Sequence, residues 1–203
     1  MGSGRGKRQK GRSNRGGGSG SVRIISGDWR GRKISVADVP GLRPSGDRAR
    51  ETLFNWLQGA IPGSRCADLF AGTGVLGLEA ASRGASEVTL IERSREAADQ
   101  LRETVGLLNA NQVSVLEGDA IEWLRRQAVH SLDVVFIDPP FDTDLAETAL
   151  GIIRDQQCLA SDGLVYVECP RLVFESAPQG WMEVSQKVMG EVRMLLLKPV
   201  EGV

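Results

Sequence analysis

From residue 66 onward, short apolar runs alternate with segments of helical period. Strand-like runs occupy 66–70, 87–91, 112–116, 132–137 and 163–168. The segments between them, 74–83, 94–109, 119–128 and 144–156, predict helices, and Ala97, Leu101, Val105 and Leu108 show the repeat within the second. Such alternation implies a parallel sheet with right-handed crossovers. The pattern changes at the end. Runs 182–188 and 192–198 are separated only by Met189-Gly190-Glu191, too little chain for a helix, so these two strands should pair antiparallel. The expected fold is α/β, a seven-stranded sheet that is mostly parallel with an antiparallel terminal hairpin.

Before residue 66 the pattern is different. Val22 and Ile24 alternate with Arg23, Ile34 and Val36 flank Ser35, and Gly27-Asp28-Trp29-Arg30-Gly31 between them is rich in turn formers. This predicts a β-hairpin. Pro40 to Gly46 reads as a loop, and 47–57 as a helix with Asp47 at its positive start and Leu53, Phe54 and Leu57 on one face. Residues 1–20 hold eight Gly and six Lys/Arg, and no large apolar residue beyond the initiator Met. Nothing there can offset the entropy of ordering, so a disordered basic tail is expected. The division is thus a tail (1–20), a basic hairpin extension (21–40) and a main domain (41–203).

Charge sharpens that division. The 203-residue chain carries a net −1, yet residues 1–50 sum to +10 and residues 51–203 to −11. A basic front on an acidic body suggests contact with nucleic acid or an anionic membrane. Arg23, Arg30, Arg32 and Lys33 surround Trp29 on the hairpin, with Arg43 in the loop beyond, a set suited to phosphate contact with base stacking. Trp29 reads equally well as a packing residue. Apolar content of 41% excludes a wholly disordered chain. The longest apolar runs, at Val134 and Met194, are too short to span a bilayer, and no apolar segment follows the charged N-terminus as in a secretory signal. Cys66, Cys158 and Cys169 form no paired-ligand spacing and His130 stands alone, which argues against a disulfide framework, a metal site or a histidine-based triad. A cytoplasmic protein is expected, and nothing demands more than a monomer.

Candidate chemistry begins at Gly72-Thr73-Gly74-Val75-Leu76-Gly77, a G-x-G-x-x-G between a strand and a helix. Glu92 follows 20 positions after Gly72 at the end of the next strand. Glycines let the backbone approach a ligand, and Glu92 can accept both hydroxyls of a ribose. A nicotinamide dehydrogenase and an S-adenosylmethionine enzyme both bind an adenosine ribose in this way, and a tight ligand-free turn would also need glycine. The fourth strand narrows the choice, because it ends in Asp138-Pro139-Pro140-Phe141. Two prolines stiffen the backbone, leaving a carboxylate, an outward carbonyl and an aromatic ring at the carboxyl end of a strand, facing the glycine loop's crevice. Two acceptors and a ring suit a planar exocyclic amine, whose two protons they accept while Phe141 stacks on the base.

Asp-Pro-Pro-Phe resembles the (D/N/S)PP(Y/F) signature of S-adenosylmethionine-dependent amino-methyltransferases, whose fold is a seven-stranded Rossmann-like class I sheet. Together with "RIISGDWRGRK", "GLRPSGDRARETLFNWL" and "DLFAGTGVLGLEAASRGA", it resembles the bacterial 16S ribosomal RNA guanine-966 N2-methyltransferases over about residues 22–198. The resemblance implies S-adenosyl-L-methionine as cofactor, S-adenosyl-L-homocysteine as product, and no metal. It implies cofactor contacts at Asp68, Phe70, Ala71, Gly72, Thr73, Gly74, Glu92, Arg93, Asp119 and Ala120, and catalytic contacts at Asp138, Pro139, Pro140 and Phe141. It implies 16S RNA, within the small subunit, as substrate. Ser45-Gly46 stands where the family has paired threonines.

The chemistry so implied is in-line attack of guanine N2 on the sulfonium methyl, with Asp138 and the Pro139 carbonyl accepting the amine protons. The base would have to be flipped or unpaired to reach the crevice. Cytosine C5 methylation is disfavoured, because it needs a cysteine nucleophile and the fourth-strand motif has none. Three rivals remain: a DNA adenine-N6 methyltransferase, a nicotinamide dehydrogenase and a non-catalytic RNA-binding protein.

Overall fold

The computed structural model describes residues 20–35, 46–174 and 176–200. The basic tail through residue 19, the end of the hairpin segment, Arg43 and Ser45 lie outside the described residues.

Seven strands build the main sheet in the order β5-β4-β3-β6-β7-β9-β8. They are β3 (Arg65–Asp68), β4 (Glu87–Glu92), β5 (Val113–Glu117), β6 (Leu132–Ile137), β7 (Leu159–Pro170), β8 (Trp181–Met189) and β9 (Val192–Pro199). The first five are parallel to one another, while β9 runs antiparallel to both β7 and β8. Because β3 lies between β4 and β6, the winding reverses there, and a crevice opens at the carboxyl ends of β3 and β6.

Period-two patterning sorts the side chains onto two faces. Val134 and Phe136 point into one apolar cluster, Val135 and Ile137 into the other. On the first face lie α1 (Asp47–Trp56), α2 (Val75–Ser82) and α3 (Arg95–Leu108); on the second, α4 (Ala120–Leu124) and α5 (Leu145–Asp155). Among the described residues, no helix is long and apolar enough to cross a membrane.

Two elements depart from expectation. The helix expected over 119–128 stops at Leu124. Ala120, Ile121 and Leu124 are its buried positions, and Arg125, Arg126 and Gln127 offer nothing apolar to bury in another turn. The strand expected over 163–168 instead starts at Leu159, because the pairing with β6 shifts register from Leu132–Leu159 to Val134–Leu164. Ser161-Asp162-Gly163 reads as a strand boundary, yet it forms an irregular stretch within one strand.

The predicted hairpin forms, with β1 (Ser21–Arg23) and β2 (Lys33–Ser35) paired antiparallel. It is seated on the body rather than free-standing. Val22, Ile24 and Ile34 belong to the same apolar cluster as Leu53 and Phe54 of α1 and Val75 and Leu76 of α2, and half-buried Trp29 packs against it. Polar contacts reinforce the seat. The fully buried Glu79 carboxylate accepts the Ile25 and Ser26 amides at 2.7 and 3.0 Å and the Arg83 guanidinium at 2.7 Å. Arg50, also fully buried, lies 3.7 Å from Glu79 and donates to the Arg23 carbonyl at 3.0 Å. Gly27 (φ +80°) passes so close to Ser82 that a Cβ would fall 1.7 Å from its carbonyl oxygen, so only glycine fits.

Candidate active site

The glycine loop runs from the end of β3 into α2. Gly72 and Gly74 have φ of 51° and 73°, the left-handed region that side chains disfavour, so the loop turns tightly. Gly77 serves packing: a Cβ there would stand 2.2 Å from Leu90 Cδ2. Its amide donates to Asp68 Oδ2 at 3.0 Å, which ties the helix start to the strand end.

Carboxylates surround this loop. Glu92, at the end of β4, accepts the Gly72 amide at 2.8 Å on one oxygen and the Ser94 amide at 2.7 Å on the other. It therefore shapes the loop, and each oxygen keeps a second lone pair for a ligand hydroxyl. Asp119 caps α4, accepting the Ile121 and Glu122 amides at 2.8 and 3.0 Å through a single oxygen. Asp68 is fully buried. Desolvation pushes its pKa up to about 7; the Gly77 amide opposes the rise, and the neighbouring Glu92 charge adds to it.

Asp138, Pro139, Pro140 and Phe141 follow β6 directly. Pro139 is buried, Asp138 half-buried and Phe141 46% exposed, so the ring is available as a stacking surface. Thr143 Oγ1 donates to the Pro140 carbonyl at 2.7 Å, bracing the turn.

All of these groups meet in one cleft of about 900 Å³. Every expected cofactor residue except Gly74 lines it, as do Asp138, Pro139, Pro140 and Phe141. Gly74 is directed instead into the core, toward Leu101, Leu78 and Leu90. Arg23, Trp29, Arg30, Arg32 and Lys33 do not line the cleft. The four basic residues lie exposed on the hairpin, where Arg32 donates to the Leu107 carbonyl at 3.2 Å. Periodicity alone passed over Ile91, Ile121 and Leu145, which wall the cleft, and Glu168, which lines it from the end of β7. The signal for Glu168 was an acid in an otherwise apolar strand at its carboxyl end. Among the described residues, no group of three or more His, Cys, Asp or Glu could hold a metal ion.

Known proteins resemble this chain in sequence and fold. The family described as "Conserved hypothetical protein 95" matches residues 22–198. Ribosomal RNA small subunit methyltransferase D of Escherichia coli (strain K12) is 44% identical over 176 residues, covering 86% of this chain and 88% of that protein. The chain belongs to this family. Its Haemophilus influenzae member of the same name is 42% identical over 176 residues, covering 85% of this chain and 91% of that protein. The solved structure of the Escherichia coli protein yhhF superimposes with a TM-score of 0.78 at 43% identity, covering 89% of this chain and 98% of that one. The sheet is accordingly a class I methyltransferase sheet with its antiparallel terminal hairpin. Within the sequence DRARETLFNW of α1, Arg50 is the buried cation beside Glu79.

Proposed function

We propose that this chain transfers a methyl group from S-adenosyl-L-methionine to the exocyclic N2 of a guanine in 16S ribosomal RNA. One observation carries the reading: the glycine loop with Glu92 and the Asp138-Pro139-Pro140-Phe141 turn open into a single cleft. The names of the relatives, ribosomal RNA small subunit methyltransferases, support the RNA substrate and the small-subunit setting.

The residues present fit the cofactor. The cleft's size suits a nucleoside-bearing ligand. Glu92 offers lone pairs to a ribose, Ile91 and Ile121 offer apolar walls to an adenine, Asp119 offers its unused oxygen to the adenine edge, and Asp68 offers a buried carboxylate to a cation. When bound, the cofactor supplies an electrophilic methyl on a sulfonium.

The chain's own part is to hold the amine. The guanine amine is a weak nucleophile because its lone pair is delocalised into the ring. Asp138 and the Pro139 carbonyl, by accepting hydrogen bonds from its two N–H groups, favour a pyramidal nitrogen with an available lone pair. Once methylated, that nitrogen is acidic and releases one proton through the Asp138 carboxylate. Phe141 stacks on the base and fixes its plane. Orientation and electrostatics therefore supply most of the acceleration, without a covalent intermediate. The exposed basic residues of the hairpin, and the basic tail before it, capture the RNA that the acidic body would repel.

The test is product analysis on small subunits from cells lacking this activity. Wild-type protein should yield N2-methylguanine. Asp138→Ala should lower turnover by about two to three orders of magnitude, as for removal of one preorganised polar group, with S-adenosylhomocysteine binding intact. N6-methyladenine, or near-wild-type turnover in the variant, would overturn the reading.

A further inference from the structure

Glu168 has no part in the arrangement above, yet it lines the same cleft. β6 and β7 are parallel and in register at Ile137–Val167, so Asp138, just past the end of β6, and Glu168, within β7, each stand one residue beyond that pair. Both extend the face that carries Phe136 and Tyr166. Glu168 is only 8% exposed, and the buried Tyr166 hydroxyl donates to its Oε2 at 2.8 Å. Burial, with the charges of Glu168 and Asp138 nearby, holds the Tyr166 phenol well above its ordinary pKa, so it remains a donor. A buried carboxylate braced from behind and turned to the cleft is a fixed acceptor beside the amine site.

We propose that Glu168 selects guanine by accepting the N1–H of the base whose N2 amine Asp138 and the Pro139 carbonyl hold. This rests on the methylation reading above and adds a specificity residue to it. Guanine presents N1–H and the N2 amine side by side on its Watson–Crick edge, three donors facing two carboxylates and a carbonyl. Adenine presents a lone pair at N1. Placed opposite Glu168, that lone pair faces a buried acceptor with no proton between them, which leaves both groups unsatisfied. Base readout on this edge is how enzymes recognise a flipped nucleotide.

The experiment compares small subunits reconstituted with guanine or 2-aminopurine at the target position. 2-Aminopurine keeps the 2-amino group but carries a lone pair at N1. Wild-type protein should prefer guanine by about 10- to 100-fold in kcat/KM, the discrimination of one good base-edge contact. In Glu168→Gln the amide can accept from N1–H or donate to N1, so the ratio should fall to within a few-fold, chiefly through a gain on 2-aminopurine. The missing O6 of 2-aminopurine affects both proteins alike, so the change in ratio is the readout. Tyr166→Phe, which keeps the ring in the core, should lower the ratio part of the way. S-Adenosylhomocysteine affinity reports whether each variant is folded. An unchanged ratio in Glu168→Gln with that affinity intact overturns the assignment. If Glu168→Gln fails to bind S-adenosylhomocysteine, an unchanged ratio in Tyr166→Phe overturns it. Failure of wild-type protein to form any N2-methylguanine sinks the methylation reading itself, a distinct outcome.

Discussion

If the cleft takes the cofactor as proposed, Asp68 should make its affinity depend on pH in a range where few carboxyls titrate. Its folded pKa is about 7, raised from 3.8 chiefly by desolvation in a fully buried position. At pH 5 only about 1% of the folded, ligand-free protein would carry the ionised form, and at pH 8 about 90%. A cationic ammonium in the cleft favours that ionised form, so affinity for S-adenosylhomocysteine should rise about 100-fold from pH 5 to pH 8, or about 2.7 kcal/mol, and level off above pH 7. Folding has the opposite sign. Because the folded pKa is raised, this group's stabilising contribution is fully present below pH ~4 and is lost as pH rises through about 7. The thermal shift produced by ligand should therefore widen with pH even as the ligand-free protein loses stability. Isothermal titration of S-adenosylhomocysteine from pH 5 to 8, in two buffers of different ionisation enthalpy, measures both the affinity and the proton released. Asp68→Asn keeps an acceptor for the Gly77 amide but cannot ionise, so its profile should be flat and its affinity at pH 8 weaker. His130 cannot supply the slope, since it precedes β6 and its ring bonds the Leu159 carbonyl at 2.7 Å, at the end of the sheet opposite the cleft. A wild-type affinity that changes less than about threefold over this range, or an Asp68→Asn protein with the wild-type slope, would refute the reasoning.

Other perturbations test the scaffold and the RNA contact. Arg50→Ala removes a fully buried cation from beside Glu79 and should cost about 3–5 kcal/mol in urea unfolding. A loss below about 1 kcal/mol would show that Arg83 alone suffices for Glu79. Gly77→Ala forces a methyl against Leu90, so the unfolding midpoint should drop by the equivalent of about 1–3 kcal/mol and ligand affinity should fall with it. An unchanged melt would mean that α2 shifts at no cost. Deleting residues 1–20 removes six cations; if all met phosphates, the log–log salt slope of RNA binding would flatten by about 4–5 units with cofactor affinity unaltered. An unchanged slope would assign RNA capture to the hairpin residues alone.

Much of the architecture was legible because burial leaves a local signature. A strand between two helix layers shows a short apolar run, as in 132–137, and a helix on one face shows spacing such as Ala97, Leu101, Val105 and Leu108. The glycine loop, Glu92 and the Asp138-Pro139-Pro140-Phe141 turn were legible for a related reason: close backbone approach and rigid turns need particular residue types. The length of α4 and the continuity of β7 were less so. Whether Arg125 begins a further turn, or Ser161-Asp162-Gly163 breaks a strand, depends on what lies opposite in space.

The sequence by itself determined most of the elements, their parallel or antiparallel sense, and the loop and turn proposed to bind. Only the tertiary structure decided that β3 and β6 lie side by side, so that residues 72, 92 and 138 share one cleft. It alone set Arg50 beside Glu79 and Glu168 beside Asp138, 29 and 30 positions apart in the chain. Periodicity reports which way a side chain faces; the partner it meets there is set by strand order and register, which only the packing of the whole chain determines.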